Sequence, residues 1–359
     1  MRKIPCVLMR GGTSKGAFIL AKDLPENIEE RNEILLSIMG AGHELEIDGI
    51  GGGSPQTSKV AIISPSSHPD ADVDYLFAQV MVQQRQVDTT PNCGNMLCAV
   101  GPFAIEQGLI PATDPVTQVR IRNVNTNTLV DAEVQTPDGI VTYDGDTTID
   151  GVPGHAAPVA LTFLNACGAK TGHLLPTGNI TDMFQGVETT CIDMAMPMVL
   201  IAASSLGKTG QETPQQLDKD KAFLQRLERI RLAAGLAIGL GDVSEKVIPK
   251  PVLLAEACHG GTLSTRYFMP HHCHKALAVT GSIGIATATT LAGSVAAKII
   301  NQDKTVRFLR QIVIEHPSGK IEVNLFNDGD KPETIRASVV RTARKLLSGN
   351  VYIPECETK

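Results

Sequence analysis

Short apolar or alternating blocks, each closed by Gly, Asn, Asp or Pro, dominate the first half of the chain. "CVLMRGGTSKGAFIL" (6–20), "SKVAIISPS" (58–66), "VDYLFAQVMV" (73–82), "VTQVRIRNVN" (116–125), "LVDAEVQTPDG" (129–139) and "APVALTFLN" (157–165) predict strands. Two segments switch to helical spacing. "ENIEERNEILLSIMG" (26–40) has early acidic residues, apolar residues three and four apart and a glycine stop. "CGNMLCAVGPFAIEQG" (93–108) is apolar nearly all round, which predicts one buried helix.

After about residue 183 a similar order recurs. Strands are predicted at "VETTCIDM" (187–194), "PMVLIAAS" (197–204), "PKPVLLAEA" (249–257) and "GTLSTRYFM" (261–269), with an amphipathic helix at 218–237 and a small-residue helix at 280–299. The chain closes with a hairpin over 310–326, turning at Ser-Gly, and a strand over 334–349. Each half is therefore mostly strand, with one amphipathic helix and one nearly apolar helix that a curved sheet can wrap. No short-period repeat runs through the chain.

Composition narrows the picture. At 359 residues the chain exceeds the roughly 250–300 at which a single core stops growing, so two domains are expected. A formal charge of -6 with mixed signs and no Trp argues against nucleic-acid binding and against stacking platforms. The start "MRKIPCVLMRGG" is too short in apolar residues for a secretory core of about 7–15, so a cytoplasmic protein is expected. The uncharged run 276–297 is rich in Thr, Ser and Gly, as a helix buried in a soluble domain would be and a membrane span would not. Eight scattered cysteines (6, 93, 98, 167, 191, 258, 273 and 356) without a CxxC pair read as reduced and mostly buried thiols.

Four stretches carry candidate chemistry. In "NCGN" (92–95) a cysteine stands where a helix begins, so unpaired amides there can stabilise a thiolate or a substrate carboxylate. Cys93 can equally be a small core residue. "IDGIGGGSPQTSK" (47–59) is a glycine loop running to Lys59, suited to anion binding by backbone amides but without P-loop spacing. Lys59 is either a solvated strand start or, if desolvated, a base. "RGGTSKG" (10–16) offers Arg10 and Lys15 to a carboxylate, or is simply a charged hairpin turn. "PHHCHK" (270–275) is cationic; its contiguous His and Cys residues lack the spacing of a zinc site, and no metal is expected.

"RGGTSKG", "DGIGG" followed by "TSK", "NCGN" and "PHHCH", with "DYLFAQV", "VGPFAIE" and "EHPSG" in the same order, resemble the PrpF protein family along essentially the whole chain. The resemblance implies an α+β, diaminopimelate epimerase-like fold. It would have two pseudo-symmetric domains, each a curved, mostly antiparallel sheet around a central helix, with the active site in the cleft between them. The implied division is 1–183, completed by 345–359, and 184–344. The family's lysine and cysteine map onto Lys59 and Cys93, and the epimerases' second cysteine falls at Thr280.

The implied activity is a cofactor-independent 1,3-proton shift in a small unsaturated di- or tricarboxylic acid such as 4-oxalomesaconate or an aconitate. Substrate contacts are expected from Arg10, Thr13, Ser14, Lys15, Gly52, Ser58, Asn92, Gly94, Asn95, Arg266, His271, His274, Thr280, Gly281 and Ser282, with Arg341 a further member of the cationic rim. A homodimer without membrane or nucleic-acid partners is the expected assembly. The alternatives are epimerase or racemase action on a carbon acid, and a carboxylate-binding protein without catalysis.

Overall fold

The computed structural model describes residues 1–164, 166–300, 311–327 and 334–354. Cys356 and the end of the segment 345–359 lie outside the described residues. The chain divides into two compact units, Met1–Leu161 with Val340–Lys359, and Thr162–Val339.

Unit 1 is built from β1 (Arg2–Gly11), β2 (Ser14–Leu20), α1 (Ile28–Met39), β3 (Lys59–Pro65), β4 (Val73–Val80), β5 (Val87–Asp88), α2 (Gly94–Leu97), α3 (Val100–Glu106), β6 (Val116–Asn123), β7 (Thr128–Gln135) and β8 (Pro158–Phe163), which ends just past its boundary. Unit 2 follows with β9 (Asp182–Phe184), β10 (Val187–Asp193), β11 (Pro197–Ala202), α4 (Pro214–Lys219), α5 (Lys221–Ala237), β12 (Lys250–Ala255), β13 (Leu263–Tyr267), α6 (Val279–Thr289), α7 (Val295–Ile299), β14 (Gln311–His316) and β15 (Gly319–Asn327). The last strand, β16 (Ile335–Ile353), starts in unit 2 beside β15 and ends in unit 1 beside β1.

The duplication is explicit in the pairing. In unit 1 the pairs β1–β2, β3–β4 and β6–β7 are antiparallel, and β2–β3 and β4–β6 are parallel. In unit 2 the pairs β10–β11, β12–β13 and β14–β15 are antiparallel, and β11–β12 and β13–β14 are parallel. A parallel neighbour needs a crossover, and helices supply it at matching places. α1 and α5 make the first crossover of their unit; α2–α3 and α6–α7 make the second. Local sequence fixes the ends: Asn27 accepts from Glu30 N to start α1, and Asp220 accepts from Phe223 N to start α5.

Both central helices are broken where continuous ones are expected. In unit 1 the segment 93–108 restarts after Cys98–Ala99, which places Pro102 in the first turn of α3, where its missing N–H costs nothing. In unit 2 the segment 280–299 breaks around Gly293, and Ser294 caps α7 by accepting from Ala297 N. Every residue of α6 is buried, and it touches β10, β11, β14 and β15, strands far apart in the sheet order, so the sheet wraps it. A Cβ on Gly281 would sit 2.5 Å from the Tyr267 ring on β13. Gly281→Ala is accordingly expected to cost about 1–3 kcal/mol of stability, read as a lower urea midpoint. Among the described residues no helix is long and apolar enough to cross a membrane.

Candidate active site

Cys93 is the N-cap residue of α2, with an extended backbone (φ -135°, ψ 98°) and a half-buried side chain. Its carbonyl accepts from Leu97 N at 3.1 Å and from the Tyr75 hydroxyl at 3.2 Å, so its backbone is held while its thiol is left uncommitted. Behind it, the amides of Gly94, Asn95 and Met96 donate to no group among the described residues. Unpaired amides converging at a helix start make a seat for negative charge. Asn92 accepts from Asn123 Nδ2 at 2.7 Å, which fixes the approach to the helix.

The β1–β2 turn packs on this helix start. Asn95 Nδ2 donates to Thr13 Oγ1 at 3.0 Å, and a Cβ on Gly12 (φ 51°) would fall 2.2 Å from Asn95 Oδ1. Only glycine permits both that backbone conformation and that approach. Ser14 is buried and Lys15 half-buried, its backbone N donating to Gln56 O at 2.9 Å. Arg10 is turned inward: Nη1 donates to Gly12 O, Thr342 O and Thr342 Oγ1 at 2.8–3.0 Å. Burial lowers its pKa, and its guanidinium works as a brace for the turn.

Lys59 opens β3, half-buried, with Nζ 2.6 Å from Gln79 Oε1 and 5.0 Å from the centre of the Phe77 ring. Period-two alternation puts Tyr75, Phe77 and Gln79 on one face of β4. That face holds the Cys93 carbonyl at one end and the Lys59 ammonium at the other. None of the three was singled out from the sequence. The available signal is Gln79, a polar residue in register with Val73, Tyr75 and Phe77.

The glycine loop before Lys59 spends much of its hydrogen bonding internally. Gly51 N donates to Met39 O and Gly53 N to Glu46 Oε2 at 2.7 Å. Glu46 is 1% exposed, adopts φ 47°, and also accepts from the buried Ser58 hydroxyl. Gly52 lies against Thr57, where a Cβ would come within 2.6 Å of Oγ1. The Glu46 side chain thus takes up part of the loop's own donor capacity.

Arg341, on β16, is different from Arg10. It is 8% exposed, Nη1 donates only to the adjacent Val340 carbonyl, and Nε has no partner. Burial pushes it down to about 10. Next to it Thr342 receives Arg10, Gly12 N and the Cys98 thiol, which burial pushes up to about 12.

In unit 2, α6 begins at Val279 with Ala278 as an N-cap that offers no side-chain acceptor. The amides of Val279, Thr280 and Gly281 donate to no group among the described residues, a second uncapped and buried helix start. Thr280 is 4% exposed, and Ser282 Oγ turns back to Val279 O at 2.7 Å. Neither Ala278 nor Thr280 supplies the thiol that Cys93 supplies in unit 1.

Arg266 is 6% exposed and bonded to Glu212 O, Thr265 O and Ser264 Oγ, so it too braces backbone. The histidines diverge. His271 is exposed near Glu228, His272 near Asp218, while His274 Nδ1 accepts from Ala276 N and its ring meets Tyr267 edge-on. Among the described residues no group of three His, Cys, Asp or Glu residues is arranged to hold a metal ion.

Known proteins resemble this chain in sequence and, where solved, in fold. Escherichia coli (strain K12) YbhH is 63% identical over 354 residues, covering 99% of this chain and all of that protein. The 4-oxalomesaconate tautomerase of Pseudomonas putida is 49% identical over 353 residues, 98% of this chain and 96% of that protein. A crystal structure of methylitaconate-delta-isomerase superposes with a TM-score of 0.85 at 35% identity, covering 98% of this chain and 96% of that one. A hydroxyproline epimerase from Agrobacterium vitis, at 14% identity and a TM-score of 0.55 over 98% of this chain and 91% of that one, shares the fold alone, which is the α+β epimerase-like one. The family model described as PrpF protein matches residues 1–354, and with relatives this similar along their whole length the chain belongs to the PrpF protein family.

Proposed function

We propose that this isomerase moves a carbon–carbon double bond, or interconverts enol and keto forms, in a small unsaturated di- or tricarboxylic acid by a 1,3-proton shift without a cofactor. The observation that carries the reading is the anchoring of Lys59 and Cys93 on one face of β4, beside the unpaired amides of Gly94, Asn95 and Met96. A 1,3-shift breaks one allylic C–H bond, moves the π electrons by one position and forms a C–H bond two carbons away. Proton and electrons balance with no redox partner. Lys59 and Cys93 exchange the proton with the substrate between them, one as base and one as acid. The amides hold the charge that spreads onto the enolate and carboxylate oxygens.

Arg341 is the proposed receiver of one carboxylate, because its guanidinium is buried with Nε unpartnered where those of Arg10 and Arg266 are committed. 4-Oxalomesaconate and methylitaconate, for which relatives are named, support this proposed substrate class. The remaining proposed site residues act through backbone amides (Gly94, Asn95, Thr280, Gly281) or shape the turn (Thr13, Ser14). The assembly proposed is a homodimer, the commonest closed oligomer. The location proposed is the cytoplasm, in keeping with eight scattered cysteines that include no CxxC pair.

Proton NMR in deuterated water tests the reading. 4-Oxalomesaconate, cis-aconitate and 2-methylaconitate are each incubated with the protein, and deuterium is expected to enter an allylic position of at least one. Line broadening on binding with no exchange in any of them would instead favour a carboxylate-binding protein.

A further inference from the structure

The side chain next to Lys59 has its own hydrogen bonds fully committed. Gln79 Nε2 faces three carbonyls, Ser58 O at 2.9 Å, Pro55 O at 3.2 Å and Val80 O at 3.3 Å. Carbonyls only accept, so the amide's donor end must point at them and its oxygen must point at Lys59 Nζ, 2.6 Å away. Ser58 is fixed in turn, its hydroxyl on the Glu46 carboxylate and on Ser54 O at 2.8 Å. A chain of contacts therefore runs from buried Glu46 to the Ser58 hydroxyl, and from the Ser58 backbone carbonyl through Gln79 to the ammonium.

The acceptor at the end of that chain is neutral. Several ionisable groups on the elements around β3 are committed elsewhere or carry the wrong sign. Asp88, opposite Gln79 on β5, accepts from Thr90; Asp74 on β4 pairs with Arg122; Glu106 on α3 pairs with Lys345. Tyr75 donates to Cys93 O, and Lys15 on β2 is itself cationic. Phe77 covers the ammonium with a ring face. A carboxylate in place of Gln79 would hold Lys59 permanently as an ion pair; an aliphatic side chain would let it swing.

We propose that Gln79 is a positioning residue that fixes the Lys59 amine for proton transfer through a neutral acceptor, without pairing it to a charge. The proposal rests on the reading of Lys59 as a catalytic residue. Its test uses the full-length protein and three variants, Gln79→Glu, Gln79→Met and Lys59→Ala. Two readouts are taken: the pH–rate profile for the substrate that the wild type turns over, and the acetylation rate of Lys59 by acetic anhydride at pH 8, followed by mass spectrometry without substrate.

In Gln79→Glu the new charge favours the ammonium, so acetylation is expected to slow about tenfold and the profile to move up by about one pH unit, with rate recovered at alkaline pH. In Gln79→Met the lost acceptor disfavours the ammonium, so acetylation is expected to quicken. Its kcat is expected to fall about tenfold with KM nearly unchanged, because the amine is no longer held in place. A merely structural role cannot move the amine's reactivity in opposite directions. Reactivity that shifts the same way in both variants, or in neither, with Lys59→Ala inactive, overturns the positioning role alone. An active Lys59→Ala overturns the catalytic reading on which it rests.

Discussion

Cys93→Ala is expected to lower kcat for the proton shift by about a thousandfold or more while KM changes by less than about fivefold. The split follows from which atoms of Cys93 are used. Its carbonyl is tied to Leu97 N and the Tyr75 hydroxyl, both independent of the side chain. Alanine keeps those bonds, keeps the extended cap geometry and removes only the sulfur. The unpaired amides of Gly94, Asn95 and Met96 stay in place to receive the carboxylate, so binding survives. Thermal unfolding should move little, since a half-buried thiol at a helix cap contributes about 1 kcal/mol at most. Steady-state kinetics alongside the deuterium exchange assay checks this. Wild-type exchange rates in the variant would remove Cys93 from the chemistry and leave Lys59 to account for both protonation steps.

What could be read in the sequence, and what could not, divides along a physical line. The order of strands and helices in each half was legible, because alternation and helical spacing report which face each segment buries. The parallel pairs that relate the units follow from that order, since a helix between two strands is what a parallel crossover requires. The breaks at Cys98–Ala99 and around Gly293 were less visible, because the apolar pattern runs straight through them and only Pro102 and Gly293 mark them. The two-residue strand β5 is too short to carry any periodicity.

At the site, residue types were legible but the spending of their hydrogen bonds was not. Arg10, Arg266 and Arg341 look alike in sequence. In the structure the first two brace carbonyls and the third is left with an unpaired Nε. The glycine loop at 51–53 reads as an anion cradle, but in the structure its Gly53 amide is given to Glu46, a residue with no motif around it. Gln79 escaped notice for the same reason. Its role exists only through Ser58 and Lys59, which β3 brings beside β4.

Arg341→Met is expected to make the ligand-free protein more stable and a far poorer enzyme. A guanidinium that is 8% exposed and bonded only to its neighbour's carbonyl carries a desolvation cost that its surroundings offset only in part. Cys98 cannot serve as its counter-charge, because a thiol pushed up to about 12 is protonated at neutral pH. Among the described residues no carboxylate forms an ion pair with Arg341, and the attraction of Asp150 is secondary to burial.

The fall from the ordinary arginine value to about 10 corresponds to roughly 3 kcal/mol borne by the fold. The unfolded chain keeps its proton more tightly, so stability recovers only as pH rises through about 10, and across the working range the penalty is constant. Methionine has similar length and no charge, which should raise the melting temperature by several degrees. A substrate carboxylate seated on Arg341 would repay the penalty on binding, so losing the guanidinium should raise KM about a hundredfold. Thermal melts with and without millimolar cis-aconitate separate the cases. The wild type should gain stability from the anion and the variant should start higher and gain little. A variant that melts lower and binds normally would make Arg341 a structural residue and return the search for the carboxylate receptor to the helix start at Gly94.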